Sequence, residues 1–179
     1  MTSNNNQFIQ NTIDIASFMK KSFYDYIRKF GFGQKTGVAL PGEASGQFKE
    51  LVDWDERSLA SISFGQEISA TPLQMISAIS AIANGGTLMV PRVTHAIIKN
   101  GSVAKRFKPK AVRRVVSIQT SRQVVEIMKH SVKTGTGGEA AIKGYEVAGK
   151  TAKAIKANHL MIIENRKGLC WIVSMDSSW

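Results

Sequence analysis

Apolar residues near the start of the chain recur at three- and four-residue intervals: Ile15, Phe18, Met19, Phe23, Tyr26, Ile27 and Phe30. That spacing predicts one face of a helix over about residues 13–29. Lys20, Lys21, Asp25, Arg28 and Lys29 fill the other face, and Gly31 and Gly33 stop it. Phe30-Gly31-Phe32-Gly33 and Leu40-Pro41-Gly42-Glu43 read as turns, and the stretch to Glu56 as irregular surface. A second helix opens at Thr71-Pro72-Leu73-Gln74. Thr71 can cap it, Pro72 suits its first position and Gln74 completes a capping box. Leu73, Ile76, Ile79 and Ala83 form its expected buried stripe, and Gly85-Gly86 its end. Its outer positions are Ser and Ala, which predicts burial on nearly all sides.

Residues 94–99 and 102–107 flank Asn100-Gly101, a strong two-residue hairpin signal. A third helix is expected over 121–133, with Thr120 and Gln123 as a capping box. Val124, Ile127, Met128 and Ser131 lie on one of its faces. Glycines 135, 137 and 138 would make its exit flexible, and a short strand fits around 145–150. Helices mixed with antiparallel strands point to an α/β (α+β layered) domain.

Charge narrows the partners. The 179 residues carry 24 Lys and Arg against 13 Asp and Glu, a formal net charge of +11. Such a balance attracts anionic partners or simply aids solubility. With 43% hydrophobic residues the chain is not disordered as a whole. One cysteine, Cys170, excludes a disulfide framework and a multi-cysteine metal site. His95, His130 and His159 lie far apart without metal-ligand spacing, so no metal and no cofactor is expected. Gly135-Thr136-Gly137-Gly138 lacks the Lys-Ser/Thr of a phosphate loop. The basic run from Lys105 to Lys110, then Arg113-Arg114, could touch anions, but reads first as a solvated hairpin edge guarded by lysines. No run approaches the ~20 apolar residues of a membrane span. The polar start reads as no signal peptide.

Taken in order, several segments resemble the transpeptidase domain of penicillin-binding proteins, and more narrowly class B proteins of the cell-division type. They are Tyr24-Asp25-Tyr26-Ile27-Arg28-Lys29-Phe30-Gly31-Phe32-Gly33; Leu40-Pro41-Gly42-Glu43 with Gly46; Ser63-Phe64-Gly65-Gln66; and Thr71-Pro72-Leu73-Gln74-Met75. Ala83-Asn84-Gly85-Gly86, Pro91, Ala140-Ala141-Ile142-Lys143-Gly144-Tyr145 and Val147-Ala148-Gly149-Lys150-Thr151 continue the series. The resemblance implies a penicillin-binding transpeptidase / serine β-lactamase-like fold, in part, with helices packed on an antiparallel sheet. It implies a serine enzyme that cross-links peptidoglycan stem peptides and is acylated by β-lactams. Such enzymes use Ser-x-x-Lys, Ser-x-Asn and Lys-Thr-Gly motifs. The serine attacks a D-Ala-D-Ala carbonyl after a lysine takes its proton. The middle motif relays protons, and the last strand binds the peptide carboxylate.

Carried over to this chain, Lys150 and Thr151 would hold the carboxylate, with Ala152 where the family has Gly. Ser3 and Asn5 would stand for the middle motif, although Asn5 lies a little far from Phe30-Gly31. Asn11 lies a little close, with Ile9 in the serine place. The family sets the nucleophile upstream of these positions. Ser17-Phe18-Met19-Lys20 and Ser102-Val103-Ala104-Lys105 have its letters but the wrong places, and both read as solvated surface. Lys35-Thr36-Gly37 and Lys133-Thr134-Gly135 are Lys-Thr-Gly triplets in segments that the family uses as a loop and a helix end.

The expected organisation is residues 1–151 as the C-terminal part of a transpeptidase domain and 152–179 as a divergent tail. Codons for Leu160 to Gly168 read one base out of frame can give Tyr-Asp-Asn-Arg-Lys-Gln-Lys-Gly, which resembles a family loop, so a frame-shifted tail is expected. The expected partners are peptidoglycan stem peptides, β-lactams and division or elongation proteins, without nucleic acid. The intact parent would be a cell-envelope protein anchored in the inner membrane and facing the periplasm or the outside. The fragment alone would be inactive, and without upstream strands its core would lack a wall. A non-catalytic envelope or divisome binding domain on the same fold is the alternative; a basic nucleic-acid binder ranks last because no recognition motif supports it.

Overall fold

The computed structural model describes residues 2–135, 137–152 and 169–174, with side chains described from residue 16 to residue 150 except Thr136. Helix α1 spans Thr2–Lys29 and ends in the turn at Phe30-Gly31-Phe32-Gly33. It starts eleven residues before the position that apolar periodicity indicates. The polar stretch ahead of Ile13 extends a helix already nucleated downstream, because propagation costs far less than nucleation. The expected apolar face is only partly covered: Phe18, Met19 and Tyr26 are exposed.

The next segment is irregular, as expected, but it is more than surface. It holds the short strand β1 (Gln47–Phe48), a 3₁₀ turn (Leu51–Asp53) and two core residues, Val38 and Trp54. Trp54 makes edge contacts with Phe23, Tyr24 and Phe48, while Tyr24 stacks on Phe48 at 5.2 Å. These rings fasten the loop to α1.

Helix α2 (Ser58–Ser63) follows, then strand β2 (Ile68–Ser69), which pairs antiparallel with β1. Helix α3 (Pro72–Ala83) has the full capping box, with Thr71 accepting from the Gln74 amide and the Gln74 side chain accepting from Thr71. Its buried face differs from the expected stripe. Gln74, Ala78 and Ala81 are buried, while Pro72, Ile76 and Ser80 are exposed, so burial on nearly all sides does not hold. The face is set by the close contacts of small side chains and by what Gln74 bonds, neither of which a hydrophobicity pattern weighs.

Strand β3 (Thr87–Met89) pairs with β6 (Ala111–Arg114), bracketing the hairpin of β4 (Ala96–Lys99) and β5 (Ser102–Arg106). Lys99 pairs with Ser102 across a turn in which Asn100 and Gly101 both have positive φ, as that turn type demands. Arg113 and Arg114 therefore belong to β6 rather than to the hairpin edge. Ala81, Leu88 and Val115 form a core cluster, with Phe30 and Val116 packed on it.

Helix α4 (Ile118–Thr134) begins earlier than expected, because Ser117 rather than Thr120 is its cap: the Ser117 hydroxyl accepts from the Thr120 amide at 3.0 Å. The buried face is Ser121, Val125 and Val132, and Ile127 points to solvent. Ser121 donates to the Ile82 carbonyl and ties α4 to α3. Gly135 ends the helix, and a 3₁₀ turn (Gly138–Ala140) leads to β7 (Val147–Ala152), which pairs antiparallel with β8 (Leu169–Ser174). The described strands thus form four two-stranded antiparallel pieces, with α4 against β7 and α3 against β3 and α4.

Candidate functional site

Strand β7 is the element that carries the expected substrate-binding residues. Val147 packs with Val132 of α4 and Ala140 of the preceding 3₁₀ turn. Val147, Ala148 and Gly149 are all buried, and Lys150 is the first residue of the strand to surface. The strand thus passes from a buried stretch to a surface position that presents an ammonium. On the other side the ladder sets Gly149 opposite Ile172, Lys150 opposite Trp171 and Thr151 opposite Cys170. Ahead of the strand, Lys129 bridges Glu126 at 2.9 Å and Glu146 at 3.1 Å, which holds the entry to β7 against α4. The hydrogen bond from Lys129 pulls the Glu146 carboxyl below its usual range, and the bond to Glu126 raises the Lys129 ammonium.

Ser3, Asn5 and Asn11 lie on α1, and their side chains fall outside the described ones. Lys150 lies on β7. The Ser-x-x-Lys look-alikes are where the sequence puts them: Ser17 is exposed on α1 and Ser102 is exposed on β5. Of the two extra Lys-Thr-Gly triplets, the first is structural. Glu43 accepts from the Thr36 amide at 2.6 Å, from the Thr36 hydroxyl at 2.5 Å and from the Gly37 amide at 3.2 Å. The Thr36 hydroxyl is the main reason that the Glu43 carboxyl sits below its usual range, with the Thr36 and Gly37 amides adding to it. The second triplet is the end of α4. The segment corresponding to Leu160 to Gly168, and with it His159, lies outside the described residues, and so does the question of its reading frame.

Two organising features escaped the sequence. One is Gln74, 1% exposed. Its amide donates to the carbonyls of Gln34 and Ser45 at 2.7 Å and of Gly31 at 3.4 Å, so it anchors the loop 31–46 to α3. Gly46 is required beside it: a Cβ there would stand 2.3 Å from the Ser69 carbonyl oxygen and 3.0 Å from Gln74 Oε1. The other is β8, for which Leu169-Cys170-Trp171-Ile172-Val173-Ser174 carries an apolar strand signal. A hollow lined by Lys129, Val132, Lys133, Tyr145, Glu146 and Val147 lies at the α4–β7 junction, but Lys150 is not part of its wall. Among the described residues no cluster of His, Cys, Asp or Glu could hold a metal ion.

A family model described as the penicillin binding protein transpeptidase domain matches residues 1–178. The chain belongs to that family. Stage V sporulation protein D of Bacillus subtilis (strain 168) is 38% identical over 148 residues, which are 82% of this chain and 23% of that protein. Penicillin-binding protein PbpB of Mycobacterium tuberculosis (strain ATCC 25618 / H37Rv) is 39% identical over 144 residues, 76% of this chain and 21% of that protein. Among solved structures, penicillin binding protein 3 from Mycobacterium tuberculosis complexed with ampicillin aligns with a TM-score of 0.71 at 38% identity, covering 77% of this chain and 32% of that one. The transpeptidase fold expected from the motifs is therefore the fold of this domain. The chain spans less than a quarter of the length of these curated relatives.

Proposed function

We propose that this chain is part of a class B peptidoglycan D,D-transpeptidase and that it carries the carboxylate-binding strand of the active site. The observation that carries the reading is β7: buried through Gly149, it brings Lys150 to the surface in the sequence context of the family's Lys-Thr-Gly strand. Lys150 and Thr151 would bind the terminal carboxylate of a D-Ala-D-Ala stem, or that of a β-lactam. Ser3 and Asn5, or Asn11, would supply the middle motif. In the intact enzyme a serine from outside these segments forms an ester with the penultimate D-Ala. The terminal D-Ala leaves with its amine protonated, and an acceptor amine of a second stem then displaces the serine. Penicillin-binding and peptidoglycan transpeptidase names among the relatives support this reading, as does the ampicillin complex of the Mycobacterium tuberculosis protein.

On this reading residues 1–151 are the C-terminal part of the domain and 152–179 a divergent tail. The parent works in the cell envelope, with division or elongation proteins as partners. Among the described residues no helix is long and apolar enough to cross a membrane. Fluorescent penicillin tests the proposal. The 179-residue chain takes no stoichiometric label, because neither Ser17 nor Ser102 is a nucleophile; labelling of either overturns the assignment. Sequencing the gene tests the tail: codons that cannot yield the shifted octapeptide rule out the frame shift.

A non-catalytic envelope-binding role keeps one specific support, the apolar face of α1. Phe18 is 72% exposed, Met19 54% and Tyr26 46%. A partner that binds tightly through this face without any acylation of the intact parent would favour it.

A further inference from the structure

Between Glu67 and Glu126 the chain has nine Lys or Arg residues and no Asp or Glu. The fold gathers most of them on one projecting feature, the β4–β5 hairpin and the segment 107–110 that follows. Three arginines are spent on its base: Arg92 donates to the Phe107 carbonyl, Arg113 to that of Lys29 at 3.1 Å and Arg114 to that of Gly85 at 2.9 Å. Lys99, Lys105, Arg106, Lys108 and Lys110 remain exposed, and none of them is in an ion pair among the described residues.

The apolar side chains of the hairpin are equally uncovered. Every residue of β4 and β5 except Ala96 is exposed, with Ile98 at 69%, Val103 at 51% and Ile97 at 48%. Register places Ile98 across from Val103, and Arg106 across from Ala96, on one face. Ile97 sits across from Lys105, whose ammonium lies 5.0 Å from the centre of the Phe107 ring. A two-stranded hairpin with both faces wet is marginal by itself. A soluble polyanion would neutralise the cations and leave Ile98 and Val103 in water. A lipid interface takes both, with phosphates for the ammonium and guanidinium groups and the acyl boundary for the aliphatic ones.

We propose that the β4–β5 hairpin docks on an anionic lipid surface by its turn end, with Ile98 and Val103 beside the turn at the acyl boundary and Lys99, Lys105 and Arg106, which flank them on both faces, at the phosphates together with residues 107–110. This is independent of the transpeptidase reading.

Sedimentation of the full 179-residue chain with large vesicles tests it. Vesicles of one part phosphatidylglycerol to two parts phosphatidylcholine should carry the chain down, and pure phosphatidylcholine vesicles should not. The triple variant Lys99→Glu/Lys105→Glu/Arg106→Glu should lower the partition coefficient by more than about a hundredfold, and Lys99→Gln alone by about fivefold. Lys35→Glu/Lys133→Glu/Lys143→Glu makes the same change in net charge elsewhere and should stay within a few-fold. Ile98→Ser/Val103→Ser should weaken binding by about tenfold. No binding to the anionic vesicles, or equal losses for the two triple variants, overturns the proposal. Retained binding in Ile98→Ser/Val103→Ser, with inorganic polyphosphate competing as strongly as vesicles, assigns the surface to soluble polyanions and also overturns it. So does a chain dimer, seen by gel filtration, that the Ile98→Ser/Val103→Ser change dissolves, since the hairpin then covers itself with a second copy.

Discussion

Around Gln74 a single buried amide joins α3 to three separate backbone carbonyls, whereas around Val147 three small aliphatic side chains join β7 to α4. The first junction is polar, saturated and unforgiving. Removing its donor leaves half-buried carbonyls without their partner. The second is apolar and shallow, so it tolerates change in proportion to the volume removed. The first sets the scaffold; the second sets where Lys150 stands. Damage to Gln74 should therefore unfold the molecule, and damage to Val147 should mainly shift the binding strand.

Gly46→Ala should break the comparison most severely. Its positive φ and the approach of the Ser69 carbonyl leave no room for a methyl group. We expect a loss of about 3 kcal/mol or more in urea unfolding. Gln74→Leu keeps the volume but abandons three carbonyls, and should cost about 3 kcal/mol. On the other side, Val147→Ala should cost only about 2 kcal/mol. Faster amide exchange should follow at Val147 to Lys150, leaving α3 protected. Equal exchange changes in both regions would erase the distinction. Thr71→Ala removes one side of the capping box and should cost about 1 kcal/mol, read as a lower melting temperature.

The smallest effect is a dependence on acid. Glu43 holds Thr36 and Gly37, and its folded pKa is lowered, chiefly by the Thr36 hydroxyl. A carboxyl lowered by folding contributes stability that is full above the ordinary glutamate value of about 4.3 and is lost as pH falls through the folded value. Glu67, lowered first by the Ser61 hydroxyl, and Asp55, lowered first by the Arg57 amide, act in the same direction. Glu43→Gln should flatten part of the decline in unfolding midpoint between neutral pH and pH 3 while leaving amide exchange in β7 unchanged.

Local chemistry was the legible part of the sequence. The Thr71 capping box, the Asn100-Gly101 turn and the strand at Lys150 each announce themselves within a few residues, and each forms. Motif order pointed to the family, and the family match covers nearly the whole chain. What stayed hidden depends on distant partners. Gln74 reads as a capping residue because its three carbonyl acceptors lie 29 to 43 residues away. Trp54 and Phe48 look like surface until the rings of α1 come beside them. Ile76 and Ile127 fit their helical stripes but face solvent. Periodicity says which side of a helix is apolar, and cannot say what that side meets. The Ser3 and Asn5 assignment rests on sequence letters, since their side chains lie outside the described ones.

The decisive measurement is acylation by fluorescent penicillin of a chimera in which residues 14–151 replace the matching segment of the Mycobacterium tuberculosis penicillin binding protein 3. If β7 is the carboxylate-binding strand, the folded chimera is labelled stoichiometrically. Lys150→Ala then slows labelling by about a hundredfold or more while the unfolding midpoint stays unchanged. A chimera that folds but takes no label, or that labels equally fast without the Lys150 ammonium, would contradict the assignment.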